Sequence, residues 1–201
     1  MNFLAHAYLS GENEQILLGN FMGDFIKGKK YTQYPKNIGI GVLLHREIDS
    51  FTDQHPQVKI SKQKLYATTG HYASVVVDIF YDHFLIQHWE KFSAHEINFF
   101  IQHVHQIAEK FIEKLPDKAQ KMLPYMIEHN WLKSYGSFKG LERSLSGISR
   151  RSPYNPSLQD SLKILHEEYE SFNEDFLIFF PALISHATAF REYLTTQTWL
   201  T

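Results

Sequence analysis

"VVVDIFYDHF", residues Val75–Phe84, decides how this chain folds. Val75, Val76, Val77, Ile79, Phe80 and Phe84 surround Asp78, Asp82 and His83 without a Gly or Pro, which reads as an almost buried helix. Asp78 and Asp82 stand four residues apart and so share one helix face. Burying a lone carboxylate costs several kcal/mol, and two at this spacing repel each other. A divalent cation between them offsets both terms; otherwise both carboxylates face water through a gap in the apolar sheath.

The same helical period runs outward in both directions. Ile16, Leu17, Phe21 and Phe25 mark a helix from about Glu12 to Phe25, and Ile40, Leu43, Leu44, Ile48 and Phe51 mark another from near Pro35 to His55. Further helices are predicted over Gln57–Tyr66, His71–Trp89, Ala94–Leu115, Asp117–Asn130 and Leu141–Ile148. Ser93 is read as an N-cap, with Glu96 completing a capping box. A long helix from Leu158 to Leu194 carries Pro181, which predicts a kink. Strand alternation, fixed-period repeats and phosphate-cradling Gly-rich motifs are missing from the sequence. The fold class predicted is all-α, with residues 1–201 as a single helical domain.

Composition narrows the function classes. The hydrophobic share of 43% and charged share of 21% are ordinary for a globular chain. A formal charge of −2 supplies no overall basic field, so neither nucleic acid nor membrane is the expected partner. The absence of cysteine excludes disulfides, thiolate metal sites and a cysteine nucleophile. "MNFLAHAYLS" lacks a basic leader and a long apolar run, so the expected location is cytoplasmic.

Three further stretches carry chemistry. In "GVLLHREIDSFTD", His45 and Asp49 are four apart beside Leu44 and Ile48, at ligand spacing for a divalent cation; the competing reading is one intrahelical hydrogen bond. In "GNFMGDFIKG", Asp24 is expected in a last helical turn, where the macrodipole disfavours an anion. Gly23 and Gly28 beside it allow close backbone approach, and Lys27 can reach an anion or simply pair with Asp24. His6 sits in the apolar "NFLAHAYL", either as a hydrogen-bonded core residue or as a ligand. A helical bundle can converge such residues inward. Oxygen and imidazole donors without sulfur suit Mn²⁺, Mg²⁺, Fe²⁺ or Zn²⁺.

"MNFLAHAYLS", "GNFMGDFIKG", "LLHREIDSFTDQHP", "DIFYDHFL" and "GISRRSP", in that order, resemble the bacterial acyl carrier protein phosphodiesterases, or ACP hydrolases. The resemblance covers Met1 to about Pro153. It implies hydrolysis of the phosphodiester that joins 4′-phosphopantetheine to a serine of holo-acyl carrier protein, with Mn²⁺ as the typical metal. It also implies a fold related to the HD phosphohydrolases. Those enzymes carry an adjacent His-Asp pair, whereas here the adjacent pair is reversed, Asp82-His83, and His45 is separated from Asp49. Asp24, His45, Asp49, Asp78, Asp82 and His83 all stand where the closer phosphodiesterase pattern has them.

With that resemblance, His6, His45, Asp49 and Asp78 are assigned to the metal. Asp24 or Asp82 orients the attacking water or accepts its proton, and His83 protonates the departing serine oxygen. Lys27, Arg46, Arg150 and Arg151 are assigned to the substrate's negative charge. Carrier proteins are acidic, so Arg150 and Arg151, or Lys27 with Lys29 and Lys30, are expected to meet that partner. Two other readings stay open at this point: an HD-like nucleotide or alarmone phosphohydrolase, and a non-catalytic helical metal-binding protein.

Overall fold

The structure is a computed structural model describing residues 1–154 and 156–198. Its elements are α1 (Phe3–Leu9), α2 (Glu14–Phe21), α3 (Lys36–Gln54), α4 (Pro56–Thr69), α5 (Ala73–Gln87) and α6 (Trp89–Phe92). They continue as α7 (Ile97–Lys110), α8 (Asp117–Glu128), α9 (Trp131–Ser134), α10 (Phe138–Arg151), α11 (Ser161–Glu167) and α12 (Tyr169–Thr196). Short 3-10 turns join several of them, and no strand occurs among the described residues. The all-α prediction holds. Among the described residues, no helix is long and apolar enough to cross a membrane.

Helix starts follow local chemistry. Asn13 caps α2, its side chain accepting from Gln15 N at 3.0 Å and Ile16 N at 3.1 Å. Pro56 opens α4 where its missing N–H costs nothing. α2 and α3 cross with their backbones in contact: a Cβ on Gly19 would stand 2.1 Å from Ile38 O, and one on Gly41 would stand 2.1 Å from Ile16 O. That close crossing brings the α2 C-terminus against the middle of α3. On the far side α12 supplies Phe172, Phe176, Phe179 and Phe180, all fully buried, each contributing about 1.5–3 kcal/mol through burial.

Three boundaries depart from the sequence reading. The first predicted helix ends at Phe21, and a 3-10 turn, Gly23–Phe25, carries Asp24 instead. The capping box at Ser93 does not form: Ser93 ends α6 in extended conformation, its hydroxyl accepts from His95 N at 3.2 Å, and α7 begins at Ile97. The long terminal helix is split into a 3-10 turn, α11 and α12, but α12 continues through Pro181. Pro181 lies on the exposed side, where the carbonyl it leaves unbonded can be hydrated.

Candidate metal centre and its cleft

α5 answers the question its sequence poses, and not with one cation between its two carboxylates. Asp82 is fully buried, and its two oxygens accept from Leu4 N at 3.0 Å and Ala5 N at 3.2 Å. It therefore caps α1, together with the Asn2 side chain, which accepts from Phe3 N at 2.9 Å. Burial pushes Asp82 up to about 7, against the pull of those two N–H groups and the Met1 ammonium. Asp78, one turn earlier, opens to a cleft and lies 3.0 Å from the Met1 ammonium. Burial raises its carboxyl too, while that ammonium works the other way.

Capping α1 aims His6 at α3. His6 and His45 stack with ring centroids 4.0 Å apart, and both depend on Asn20 of α2. The Asn20 amide donates to His6 O at 2.8 Å and to Ser10 Oγ at 3.0 Å, which leaves its Oδ1 facing His6 Nδ1 at 2.8 Å. His45 Nδ1 meets Asn20 O, also at 2.8 Å. Both partners are acceptors, which favours a proton on each Nδ1, and both Nε2 atoms turn to the same point, where His6 Nε2 also meets Met1 O at 3.1 Å.

Asp49 stands at that point. His6 Nε2 is 3.2 Å from its Oδ1, and His45 Nε2 is 3.2 Å from its Oδ2. Asp24 Oδ1 lies 3.4 Å from His45 Nε2. Gly23 makes room for this, since a Cβ there would fall 2.2 Å from His45 Cγ. Lone pairs facing carboxylate oxygens repel unless a positive charge lies between them. In the protein alone a proton on His45 supplies that charge: burial opposes it, but Asp24 and Asp49 raise His45 to about 9. Burial and the neighbouring charged His45 lower His6 to about 4. Asp49, despite burial, is held well below the usual carboxylate range by the two imidazoles.

One donor atom from each of His6, His45 and Asp49 lies within 4.8 Å of the others, the spread a single small cation can draw together. Two neutral imidazoles and a carboxylate fit a borderline divalent ion, and Asn20 supplies the outer hydrogen bonds that such ligands need. Asp24, with 65% of its side chain exposed, is free to act beside them.

The cluster opens into a cleft of about 540 Å³. Asp24, Asp49 and Asp78 line it, as do Arg143, Arg150 and Arg151 of α10. Arg143, His129 and Trp131 were not singled out by the sequence reading, nor was Asn20. Arg143 falls one turn before Gly147 and two before Arg150 and Arg151, so the α10 period, extended backward, identifies it.

Four assigned residues are not brought to the cleft. His83 is turned between Tyr135 O, 2.8 Å from Nδ1, and Tyr169 Oη, 2.9 Å from Nε2, and braces α5 against the α9–α10 link and α12. Arg46 donates to Ile26 O at 2.9 Å and Gly28 O at 2.7 Å over the Tyr31 ring, so it holds the loop after Asp24. Lys27 is exposed and lies outside the cleft lining. Asp82 has both oxygens committed to α1. For three of the four the structure shows positional contacts, and Lys27 lies outside the cleft lining.

A model of the acyl carrier protein phosphodiesterase family matches residues 1–183. The chain belongs to that family. It is 30% identical over 188 residues to the acyl carrier protein phosphodiesterase of Salmonella agona strain SL483, covering 93% of this chain and 97% of the relative. The acyl carrier protein phosphodiesterase of Enterobacter sp. strain 638 is similar to the same extent. No solved structure matches the chain significantly. Within this phosphodiesterase family member, the matched span includes every residue of the cluster and the α10 arginines.

Proposed function

We propose that this protein hydrolyses the phosphodiester joining 4′-phosphopantetheine to a serine of holo-acyl carrier protein, releasing the apo-carrier. One observation carries the reading beyond family membership: His6 and His45, held by Asn20, turn their Nε2 atoms to Asp49, and Asp49 lines a cleft that three arginines also line. One cavity thus carries both carboxylates for a cation and guanidinium groups for an anion, which suits a phosphodiester borne by an acidic protein.

His6 Nε2, His45 Nε2 and Asp49 would hold the cation, with Mn²⁺ the proposed ion and Mg²⁺, Fe²⁺ or Zn²⁺ the alternatives. When bound, such an ion lowers the pKa of a water and withdraws charge from a phosphoryl oxygen. The rest falls to the chain itself. Asp24 is the exposed carboxylate beside the ligands and accepts the water's proton. Asp78 bounds the cleft from α5, where it is paired with the Met1 ammonium. Arg150 and Arg151, extended by Arg143, meet the acidic carrier and the phosphate's charge. Asp82 acts through α1, holding His6 where it is needed.

The test is to incubate holo-acyl carrier protein with the enzyme and Mn²⁺ and follow the carrier's intact mass. Loss of the phosphopantetheine arm, abolished by chelator and restored by Mn²⁺, is the expected result. An unchanged carrier mass, with holo-carrier stable in every metal tried, overturns the reading.

A further inference from the structure

The arginine side of the cleft contains a surface that neither the cation nor an acidic partner explains. Val75 of α5, Trp131 of α9 and Ile148 of α10 line the cleft, as do the hydroxyl-bearing Ser74, Ser134 and Ser144, the Ser134 hydroxyl donating to Trp131 O at 2.8 Å and keeping its acceptor side. Apolar faces alternating with hydroxyls suit an uncharged chain that carries amides, each amide needing a partner and each hydrocarbon step a dry wall.

Trp131 is not a loose surface aromatic. Asn130, just before it, has φ 47° and ψ 52°, the left-handed region that Asn tolerates better than most residues. That turn presents both His129 and Trp131 to the cleft. Leu132, the next residue, is fully buried and anchors α9. α9 also meets α10 at backbone distance: a Cβ on Gly140 would lie 1.7 Å from Ser134 O. The indole therefore stands on a clamped helix, at a fixed place in the cleft that Val75 also lines.

We propose that Trp131, with Val75 and Ile148, forms the seat for the organic arm of the substrate, and that this seat sets the preference for a pantetheine-type diester over other phosphodiesters. The inference rests on the function proposed above and adds the specificity-determining residue. The arm's branched hydrocarbon packs on the indole face and its amides reach the serine hydroxyls, while the phosphodiester stays at the His6–His45–Asp49 wall. Trp131 works on binding and alignment of the arm and touches no reacting atom.

The experiment compares wild type, Trp131→Ala and Trp131→Phe on two substrates, holo-acyl carrier protein and bis(p-nitrophenyl) phosphate, which has no arm. Trp131→Ala should lose about tenfold more of its kcat/KM on holo-carrier than on the small diester, chiefly through KM, as expected for an aromatic contact worth about 1.4 kcal/mol. Trp131→Phe should recover most of that selective loss. In parallel, in a protein with Trp89→Phe and Trp199→Phe, free 4′-phosphopantetheine should protect the remaining Trp131 indole from acrylamide quenching and compete with holo-carrier. Equal losses on both substrates for a Trp131→Ala protein of unchanged circular dichroism overturn the seat alone. If Trp131→Ala fails to fold, the protein with Trp131 as its single indole still decides, because quenching unaffected by saturating 4′-phosphopantetheine overturns the seat. Wild type inert on holo-carrier overturns the seat and the function together.

Discussion

The imidazoles of His6 and His45 lie stacked, 4.0 Å between centroids and 18° from parallel, each with its Nδ1 within 2.8 Å of the same residue, Asn20. Two imidazolium ions cannot share that spacing at low cost, so the pair admits one positive charge. That charge is a proton in the metal-free protein, and under the proposed function a divalent ion takes its place.

Asn20 should then matter to an ion it never touches. Asn20→Ala removes the side-chain oxygen that meets His6 Nδ1 and leaves the backbone carbonyl that meets His45, so affinity for Mn²⁺ should fall about 10–100-fold through misorientation of His6. Titration calorimetry on folded protein checks this. Wild-type affinity in the variant would mean the imidazoles orient without it.

Metal binding should be pH-dependent in a defined direction. At neutral pH His45, raised to about 9 by Asp24 and Asp49 in spite of burial, carries a proton that the cation displaces, whereas His6, near 4, carries none. Affinity should therefore increase roughly tenfold per pH unit from about pH 6.5 to 8.5, with about one proton released per ion. The same shift stabilises the metal-free fold below the unfolded value of about 6.5 and is lost as pH rises through about 9. Buffers of different ionisation heat count the proton; pH-independent affinity contradicts the assignment.

Asp82 and Asp49 should separate by kind of damage. Asp82→Ala strands the N–H groups of Leu4 and Ala5 and should cost about 1–3 kcal/mol of stability, read as a lower Tm. Asp82→Asn keeps an acceptor and should retain substantial activity. Asp49→Asn should keep the helical circular dichroism and lose turnover. Full loss of turnover in Asp82→Asn, with fold and metal affinity intact, would return Asp82 to the chemistry.

Arg150→Glu with Arg151→Glu should raise KM for holo-carrier far more than it lowers kcat, because rim charges govern encounter. Wild-type kcat/KM should also fall with salt, screening acting over about 8 Å at ~0.15 M. If the double variant loses hydrolysis of a small diester equally, the pair serves the phosphate and not the carrier surface.

How far the site was legible depended on where each residue's partners lie. His45 and Asp49 share a turn of one helix, so spacing alone exposed them. Asn20 sits alone in "ILLGNFMG", and its partners, His6 and His45, come from two other helices, so no local period betrays it. The capping contact of Asp82 was hidden for a related reason: its partners are backbone N–H groups of α1, a seven-residue helix too short to show a period. The helical class was plain because apolar spacing persists through α2, α3, α5 and α12. Their ends were less so, since Asp24's turn is set by the His45 ring against Gly23, a contact made across the fold.

Hydrolysis of holo-carrier in ¹⁸O-enriched water tests the central claim most directly, because it reports both whether the diester is cut and which atom is attacked. Activated water at the His6–His45–Asp49 wall, with Asp24 taking its proton, predicts the label in 4′-phosphopantetheine and an unlabelled serine on the apo-carrier. Label on the serine oxygen, an eliminated side chain in place of serine, or no cleavage with Mn²⁺ present would contradict the account.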